Sequence, residues 1–207
     1  MDQTFNQITA TKPADRPTGT AGARIVALLA VLGGAGLLVA MVTMLGALLP
    51  APPLTWAGLW ADPVLGVVML VGGAGGVVAL CAALAGLSLI RETTNPGVAS
   101  VAALGALGGC IGALWTVAAL FVLPAASAIV ALNLARVDRL PKSIAVLHAA
   151  AALGCIVVGA LWAQNASLGI GDLIVLLYPI TWIAIGLALL RGLPSTESPA
   201  SPLAFEG

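Results

Sequence analysis

His148, the one histidine of this chain, is the side chain best suited to acid–base or ligand chemistry. Asn133 stands at a similar predicted depth on the preceding helix, so the sequence predicts a hydrogen bond between the two, worth about 0.6 kcal/mol on average within a membrane. Two interpretations of His148 stay open: it packs with a hydrogen-bonded partner, or it belongs to a site for ligand binding or proton transfer. A bis-histidine haem is excluded because no second histidine exists, whereas His–Met ligation through Met41, Met44 or Met69 stays open.

Pro179, which follows Tyr178, is the second candidate for chemistry. It falls in the middle of the last predicted helix, where a proline removes a backbone donor and frees a carbonyl near the midplane of a membrane. Transporters place binding sites at broken helices. Proline kinks are also common in membrane helices with no bound ligand, so a structural bend is the alternative.

Glycines four residues apart recur along the chain, and small residues at this spacing let helix backbones approach closely in lipid. The run Gly-Gly-Ala-Gly-Gly over 72–76 lacks the Lys and Ser/Thr that complete a phosphate-binding loop. We therefore predict helix packing at the following pairs: Gly72 with Gly76, Gly105 with Gly109, and Gly108 with Gly112.

The composition predicts an integral membrane protein. Hydrophobic residues make up 60% of the chain and charged residues 8%, against about 25% charged in soluble domains. The apolar runs are continuous and lack the alternation of a β-barrel, so the predicted class is all-α. Net charge is zero and no basic stripe exists, which argues against nucleic acid as a partner.

Six transmembrane helices are predicted between two disordered polar tails, 1–23 and 192–207, and the transmembrane domain covers 24–191. Asp62 and Pro63 suit the start of the second helix as N-cap and first residue. Pro124 is expected to open the fourth helix, and Asp172 to cap the sixth. The predicted helices are 24–49, 63–90, 98–116, 119–135, 143–163 and 172–190.

The uncharged run from Val98 to Ala135 decides the number of crossings, because its 38 residues are too many for one span of about 20 and barely enough for two. One crossing gives five helices and places four of the eight basic residues on each side. Two crossings place all eight on one side, as the preference of Lys and Arg for the cytoplasm favours. We predict a helical hairpin with both termini cytoplasmic. A re-entrant hairpin and one long helix are the alternatives.

The function predicted from these patterns is a non-enzymatic, multi-pass protein of a bacterial inner membrane. It would act by helix packing with a second copy or a membrane partner, surrounded by the lipid bilayer, and no catalytic group, cofactor or metal site is predicted. The alternative is a small transporter or channel for a neutral or lipophilic molecule. A polar cavity at mid-membrane beside Asn133, His148, Thr181 or the Pro179 carbonyl would favour transport. A tightly closed bundle with an exposed glycine groove would favour association.

Overall fold

A computed structural model describes residues 18–48, 61–89, 96–114, 116–163 and 170–192, and the regular secondary structure of these residues consists of helices. Helix α2 covers 63–89 and is α-helical over Pro63–Val68, π-helical over Met69–Ala74 and α-helical again over Gly75–Leu89. A 3₁₀ segment, Ile170–Leu176, leads into α6. The other helices are α1 (Thr18–Leu48), α3 (Pro96–Leu114), α4 (Thr116–Arg136), α5 (Lys142–Ala163) and α6 (Leu177–Gly192).

Within the described residues, four helical stretches are long and apolar enough to cross a membrane: Ala21–Ala47, Pro63–Leu87, Lys142–Leu161 and Leu173–Gly192. Two shorter apolar helices, Pro96–Cys110 and Phe121–Arg136, lie between them in sequence. The outward faces carry large aliphatic side chains, such as Leu32, Leu104 and Leu153, each more than 60% exposed. Such a surface suits lipid, and it is compatible with the predicted membrane location.

Successive helices run antiparallel, as the order of their contacts shows. On α1 and α2, Val26 meets Gly86 whereas Gly36 meets Gly72, so one helix ascends as the other descends. The same reversal of order holds for α3 with α4 and for α1 with α6. Each helix contacts the next along the chain, and α6 returns to contact α1. The chain thus forms a closed ring of six helices over its described residues.

The run 98–135 folds as two helices, α3 and α4. Gly105 of α3 lies directly against Ala126 of α4, and Gly109 against Leu123. In one continuous helix Gly105 and Ala126 would be about 31 Å apart. The one-helix alternative is therefore contradicted, and residue 115, between α3 and α4, lies outside the described residues.

Basic residues gather at one end of this ring. Arg24 is near the start of α1, Arg191 is near the end of α6, and Gly186 of α6 packs on Ala27 of α1. The same end holds the connection between α4 and α5. The basic side chains of the described residues are all found here: Arg24, Arg136, Arg139, Lys142 and Arg191. Lys12, Arg16 and Arg91 lie outside the described residues.

Several predicted helix ends differ from the structure. Helix α1 begins at Thr18, before the expected Arg24, and the rest of the predicted N-terminal tail is outside the described residues, as is the C-terminal tail beyond Gly192. Pro124 lies inside α4 instead of opening it, because membrane helices tolerate an internal proline when neighbouring groups satisfy the freed backbone. Asp172 falls within the 3₁₀ segment, so it is not the N-cap of α6.

The predicted start of the second helix is confirmed. Asp62 is the N-cap of α2, and its Oδ1 accepts hydrogen bonds from the backbone N–H groups of Val64 at 2.9 Å and Leu65 at 3.0 Å. Pro63 follows in the first turn, where its missing N–H has no partner to lose.

Glycine contacts bring α1 close to both of its neighbours. A methyl group on Gly76 of α2 would lie 2.8 Å from the backbone nitrogen of Leu37, and one on Gly72 would lie 2.8 Å from the carbonyl oxygen of Gly36. On α6, a methyl group on Gly186 would lie 2.6 Å from the carbonyl oxygen of Ala27. Backbone therefore packs on backbone at these contacts, as small residues permit in membrane helices.

Candidate functional site

His148 lies at the centre of a buried polar cluster formed by α4, α5 and α6. Its side chain is 0% exposed. Its Nδ1 lies 2.8 Å from Oγ1 of Thr181 on α6, and its Nε2 lies 3.0 Å from Oγ of Ser127 on α4. Both ring nitrogens are thus engaged by hydroxyl groups of the two flanking helices. We call His148, Ser127, Thr181, Tyr178 and Trp182 the histidine cluster.

Helix α4 positions Ser127 through its own backbone. The Ser127 hydroxyl donates to the carbonyl oxygen of Pro124, one turn earlier, at 2.9 Å, and it lies 3.0 Å from the Tyr178 hydroxyl. A serine that bonds to the preceding turn keeps its side chain close to the helix, with the oxygen still able to accept. Ser127 is 2% exposed, so these bonds replace those it would make with water.

Helix α6 supplies the remaining members from one face, because residues three and four apart are neighbours on a helix. The Thr181 hydroxyl donates to the Tyr178 carbonyl at 2.8 Å. The rings of His148 and Tyr178 are stacked, with centroids 5.3 Å apart and 28° between the planes. Trp182 approaches the imidazole at 79°, also with a centroid distance of 5.3 Å.

Pro179 sits in the first turn of α6, so the expected break in the middle of the last helix is instead a junction between 3₁₀ and α winding. Val175, four residues earlier, has the carbonyl that a non-proline residue would engage. Cys155 Sγ of α5 lies 3.9 Å from that oxygen and donates a weak bond to it. The backbone oxygen of Pro179 lies close to Gly34 of α1.

The predicted bond between Asn133 and His148 is replaced by the bonds to Ser127 and Thr181. Asn133 is half-buried on α4, six residues beyond Ser127 and so about 9 Å farther along the helix axis. The spacing of the polar residues explains the difference. Ser127 lies deep enough in α4 to meet His148 across the antiparallel contact, whereas Asn133 lies nearer the basic end of the ring.

The glycines singled out in the sequence lie away from the histidine cluster. Gly72 and Gly76 face α1, and Gly105, Gly108 and Gly109 face α4, with Gly109 also touching the Cys81 thiol. The side-chain surroundings of Gly112 are outside the described residues. These glycines meet other helices of the same chain.

Sequence reasoning did not single out Ser127 or Trp182. A usable signal exists, since Ser127 is a polar residue in an apolar stretch of α4, and Tyr178, Thr181 and Trp182 share the spacing of one helix face. Listing the polar side chains inside the predicted spans, and asking which bond to one another, would have identified the cluster.

A cavity of about 40 Å³ adjoins the cluster at Tyr178. Its other lining residues are apolar or weakly polar: Leu37, Met41, Val77, Leu123, Pro124 and Cys155. Pockets that hold a drug-sized ligand measure about 300–1,000 Å³. A larger groove of about 470 Å³ lies on the outer side of α5, between residues such as Leu153, Val157 and Ile174, away from the cluster.

The spacing between Ser127 and His148 is that of a nucleophile and its general base. Ser127 is 2% exposed and His148 is 0% exposed, and the adjoining cavity has no room for an acyl substrate. The arrangement therefore joins three helices through hydrogen bonds and does not present a reactive hydroxyl to a substrate.

Groups of three or more His, Cys, Asp or Glu side chains placed to bind a metal ion are absent from the described part of the chain. Cys81 and Cys155 are buried free thiols, and Cys110 is an exposed one. Comparison of the chain with protein-family models, curated proteins and solved structures finds no match. Any functional conclusion must therefore rest on the histidine cluster and on the helix packing.

Proposed function

We propose that this protein is a six-span, non-enzymatic protein of a bacterial inner membrane, in which both termini face the cytoplasm. Its role is that of an accessory subunit, exerted through its shape and its outer helix faces on a second copy or on a membrane partner. The two shorter helices, α3 and α4, cross the membrane as the hairpin between α2 and α5. The positive end of the ring faces the cytoplasm, in keeping with the known bias of Lys and Arg.

The observation that carries this proposal is the closed interior. The hydroxyl and imidazole groups of the histidine cluster hydrogen-bond to one another and to backbone carbonyls. Among the described residues, Trp182 Nε1 is the buried side-chain nitrogen without a partner, so all but one of the cluster's polar groups are engaged within the protein. The adjoining cavity of about 40 Å³ holds one or two water molecules at most by volume, and its lining offers them few partners. A solute pathway would need a wider polar passage.

The glycine contacts support the closed interior, and they join helices of the same chain instead of forming an exposed groove. The α1–α2 and α1–α6 contacts bring backbones so close that a single added methyl group would collide with backbone atoms. Interiors packed in this way resist opening, because closely packed elements have discrete arrangements and do not deform continuously. The groove on the outer side of α5 is a concave surface available for contact with other molecules.

Reconstitution into vesicles tests the closed interior. We expect purified protein in proteoliposomes to leave the permeability to small neutral solutes, such as glycerol and urea, equal to that of protein-free vesicles, measured by light scattering after an osmotic shift. Solute flux that rises with protein content would contradict the proposal. If the wild-type protein showed such flux and a folded Ser127→Phe variant did not, the transporter alternative would replace the proposal.

A further inference from the structure

Proton positions in the histidine cluster can be counted, because two of its hydroxyl protons are committed to backbone carbonyls. The Thr181 proton points to the Tyr178 carbonyl, and the Ser127 proton points to the Pro124 carbonyl. A hydroxyl has one proton to donate and two lone pairs to accept. Each of these hydroxyls can therefore only accept from the imidazole while it keeps its bond to the carbonyl.

The two bonds of the imidazole then require protons on both of its nitrogens. Nδ1 must donate to Thr181 across 2.8 Å, and Nε2 must donate to Ser127 across 3.0 Å. The Tyr178 hydroxyl donates its own proton to Ser127, which has a lone pair left for it. A neutral ring carries one N–H, so it must break one of the five contacts or turn one hydroxyl away from its carbonyl.

We propose that His148, Ser127 and Thr181 form a buried proton-binding site. The bound species is a proton delivered by water: hydronium gives its proton to the unprotonated ring nitrogen, a water molecule is released, and the ring becomes an imidazolium with a charge of +1. In this state all five contacts are hydrogen bonds with the heavy atoms where they stand. Uptake or release of the proton is accompanied only by the turn of one hydroxyl proton or the loss of one of these contacts.

The surroundings of the ring suit a cation in part. Both N–H groups would donate to oxygen, and hydrogen bonds to a charged group are the stronger kind. The face of Tyr178 is 5.3 Å from the imidazole centroid, within the range of cation–π contacts at about 6 Å. These two features give the proton a specific place, although a buried charge still opposes its binding.

The titratable and charged groups on the helices that touch His148 are few. Tyr178 of α6 is in contact, and Cys155 lies two turns farther along α5. The charged side chains of these helices lie at their ends: Arg136 on α4, Lys142 on α5 and Arg191 on α6. A change in the ring's proton content with pH can therefore be assigned to His148 without a carboxylate partner in the described helices.

Nitrogen-15 NMR tests the site directly, because the chain has a single histidine. Full-length protein labelled with ¹⁵N-histidine gives the signals of one ring. We expect acidification from about pH 8 to about pH 4, on either side of the ordinary histidine pKa of about 6.5, to convert these signals reversibly from a neutral ring to an imidazolium. Circular dichroism and gel filtration at each pH establish that the protein stays folded.

Two variants separate the proposed site from a merely buried ring. Ser127→Ala and Thr181→Val each remove one acceptor of an imidazole N–H, and each should weaken proton binding by about tenfold or more, the effect of one hydrogen bond to a charged group. Thr43→Val on α1 is the matched control, since Thr43 is half-buried and outside the cluster. It should leave the titration unchanged.

A ring that stays neutral until the wild-type protein unfolds overturns the proposal. A titration that neither Ser127→Ala nor Thr181→Val alters overturns it as well. If one of these variants does not fold, the other and the wild-type titration still decide between the outcomes.

Discussion

Asp138 sets the turn between α4 and α5 with an unusual backbone conformation. Its φ is 55°, in the left-handed region that glycine adopts most readily. The N–H of Arg139 bonds to the Leu134 carbonyl at 2.9 Å, and the N–H of Asp138 approaches the Ala135 carbonyl at 3.4 Å. These are the two bonds of a Schellman motif, which satisfies the last carbonyls of α4.

Replacing Asp138 by glycine should stabilise the protein. Glycine has no Cβ to oppose the left-handed conformation, so we expect Asp138→Gly to raise the free energy of unfolding by about 0.5–1 kcal/mol, and Asp138→Val to lower it by about 1–2 kcal/mol. Thermal unfolding in detergent, followed by circular dichroism, measures both. Asp138→Asn is the control for loss of charge, because asparagine adopts this conformation at least as readily as aspartate does. A destabilised Asp138→Gly protein would contradict the explanation.

Individual residues were predictable from the sequence where local chemistry decides their role. Asp62 and Pro63 form a helix start from side-chain and backbone groups within one turn, and the sequence identified them. The partners of His148 depend on which residues the antiparallel register brings level with it. Register is set by packing along whole helices, so the sequence predicts Asn133 as the partner of His148, whereas the structure has Ser127 in that place.

Helix α2 shows how glycines determine the separation between two elements. Gly76 faces the backbone of α1 at Leu37 and Gly33, whereas adjacent Gly75 has nothing near the position of an added methyl group. The two glycines belong to the same helix and differ only in the face on which they lie. They make a matched pair for testing whether close backbone approach stabilises the α1–α2 contact.

We expect Gly76→Ala to destabilise the protein by about 1–3 kcal/mol, because the added methyl group would have to displace backbone atoms of α1. Gly75→Ala should leave the stability unchanged or raise it by up to about 1 kcal/mol, since alanine favours helix more than glycine does. Urea or thermal unfolding of both variants in the same detergent gives the comparison. Equal effects of the two substitutions would show that the α1–α2 contact does not depend on backbone approach.

The sequence predicted which helices exist, but it did not predict where their geometry departs from that of an α-helix. Six apolar stretches predicted six helices, with ends within a few residues of the described ones except at α1 and α6. The π-helical stretch Met69–Ala74 and the 3₁₀ segment Ile170–Leu176 left no distinct pattern, because hydrophobic residues surround both. Pro124 lies within α4, and an internal proline of this kind is tolerated where neighbouring groups satisfy the freed backbone, which the local sequence does not reveal.

Across the whole molecule, successive helices alternate in direction, so the described basic side chains all lie at one end of the ring. Asp62 marks the end opposite to the one that holds Arg136, Arg139 and Lys142. The charge count along the sequence predicted this separation before any contact was considered. The sequence could not show that α6 returns to α1, because ring closure depends on which faces of distant helices match.

Labelling of engineered thiols tests the orientation of the ring. In a background with the native cysteines replaced, we expect Asp62→Cys to react with a membrane-impermeant maleimide in intact cells, and Ser143→Cys to react only after the membrane is permeabilised. Both positions are exposed and lie at opposite ends of the ring. Reaction of both from the same side would contradict six crossings, and an exchanged pattern would reverse the proposed orientation.

The contact between α1 and α6 also bears on how the protein is made. Helices enter a membrane in the order of synthesis, and contacts between neighbours in sequence form with the least loss of chain entropy. In the proposed membrane, α1 could pair with α2 at once. Its other side, where Ala27 contacts Gly186 and Gly34 contacts Pro179, would stay exposed to lipid until α6 is inserted. Helix α1 is therefore made first but obtains its full set of contacts last. A chain that ended after α5 would leave one side of α1 free to contact helices of other proteins.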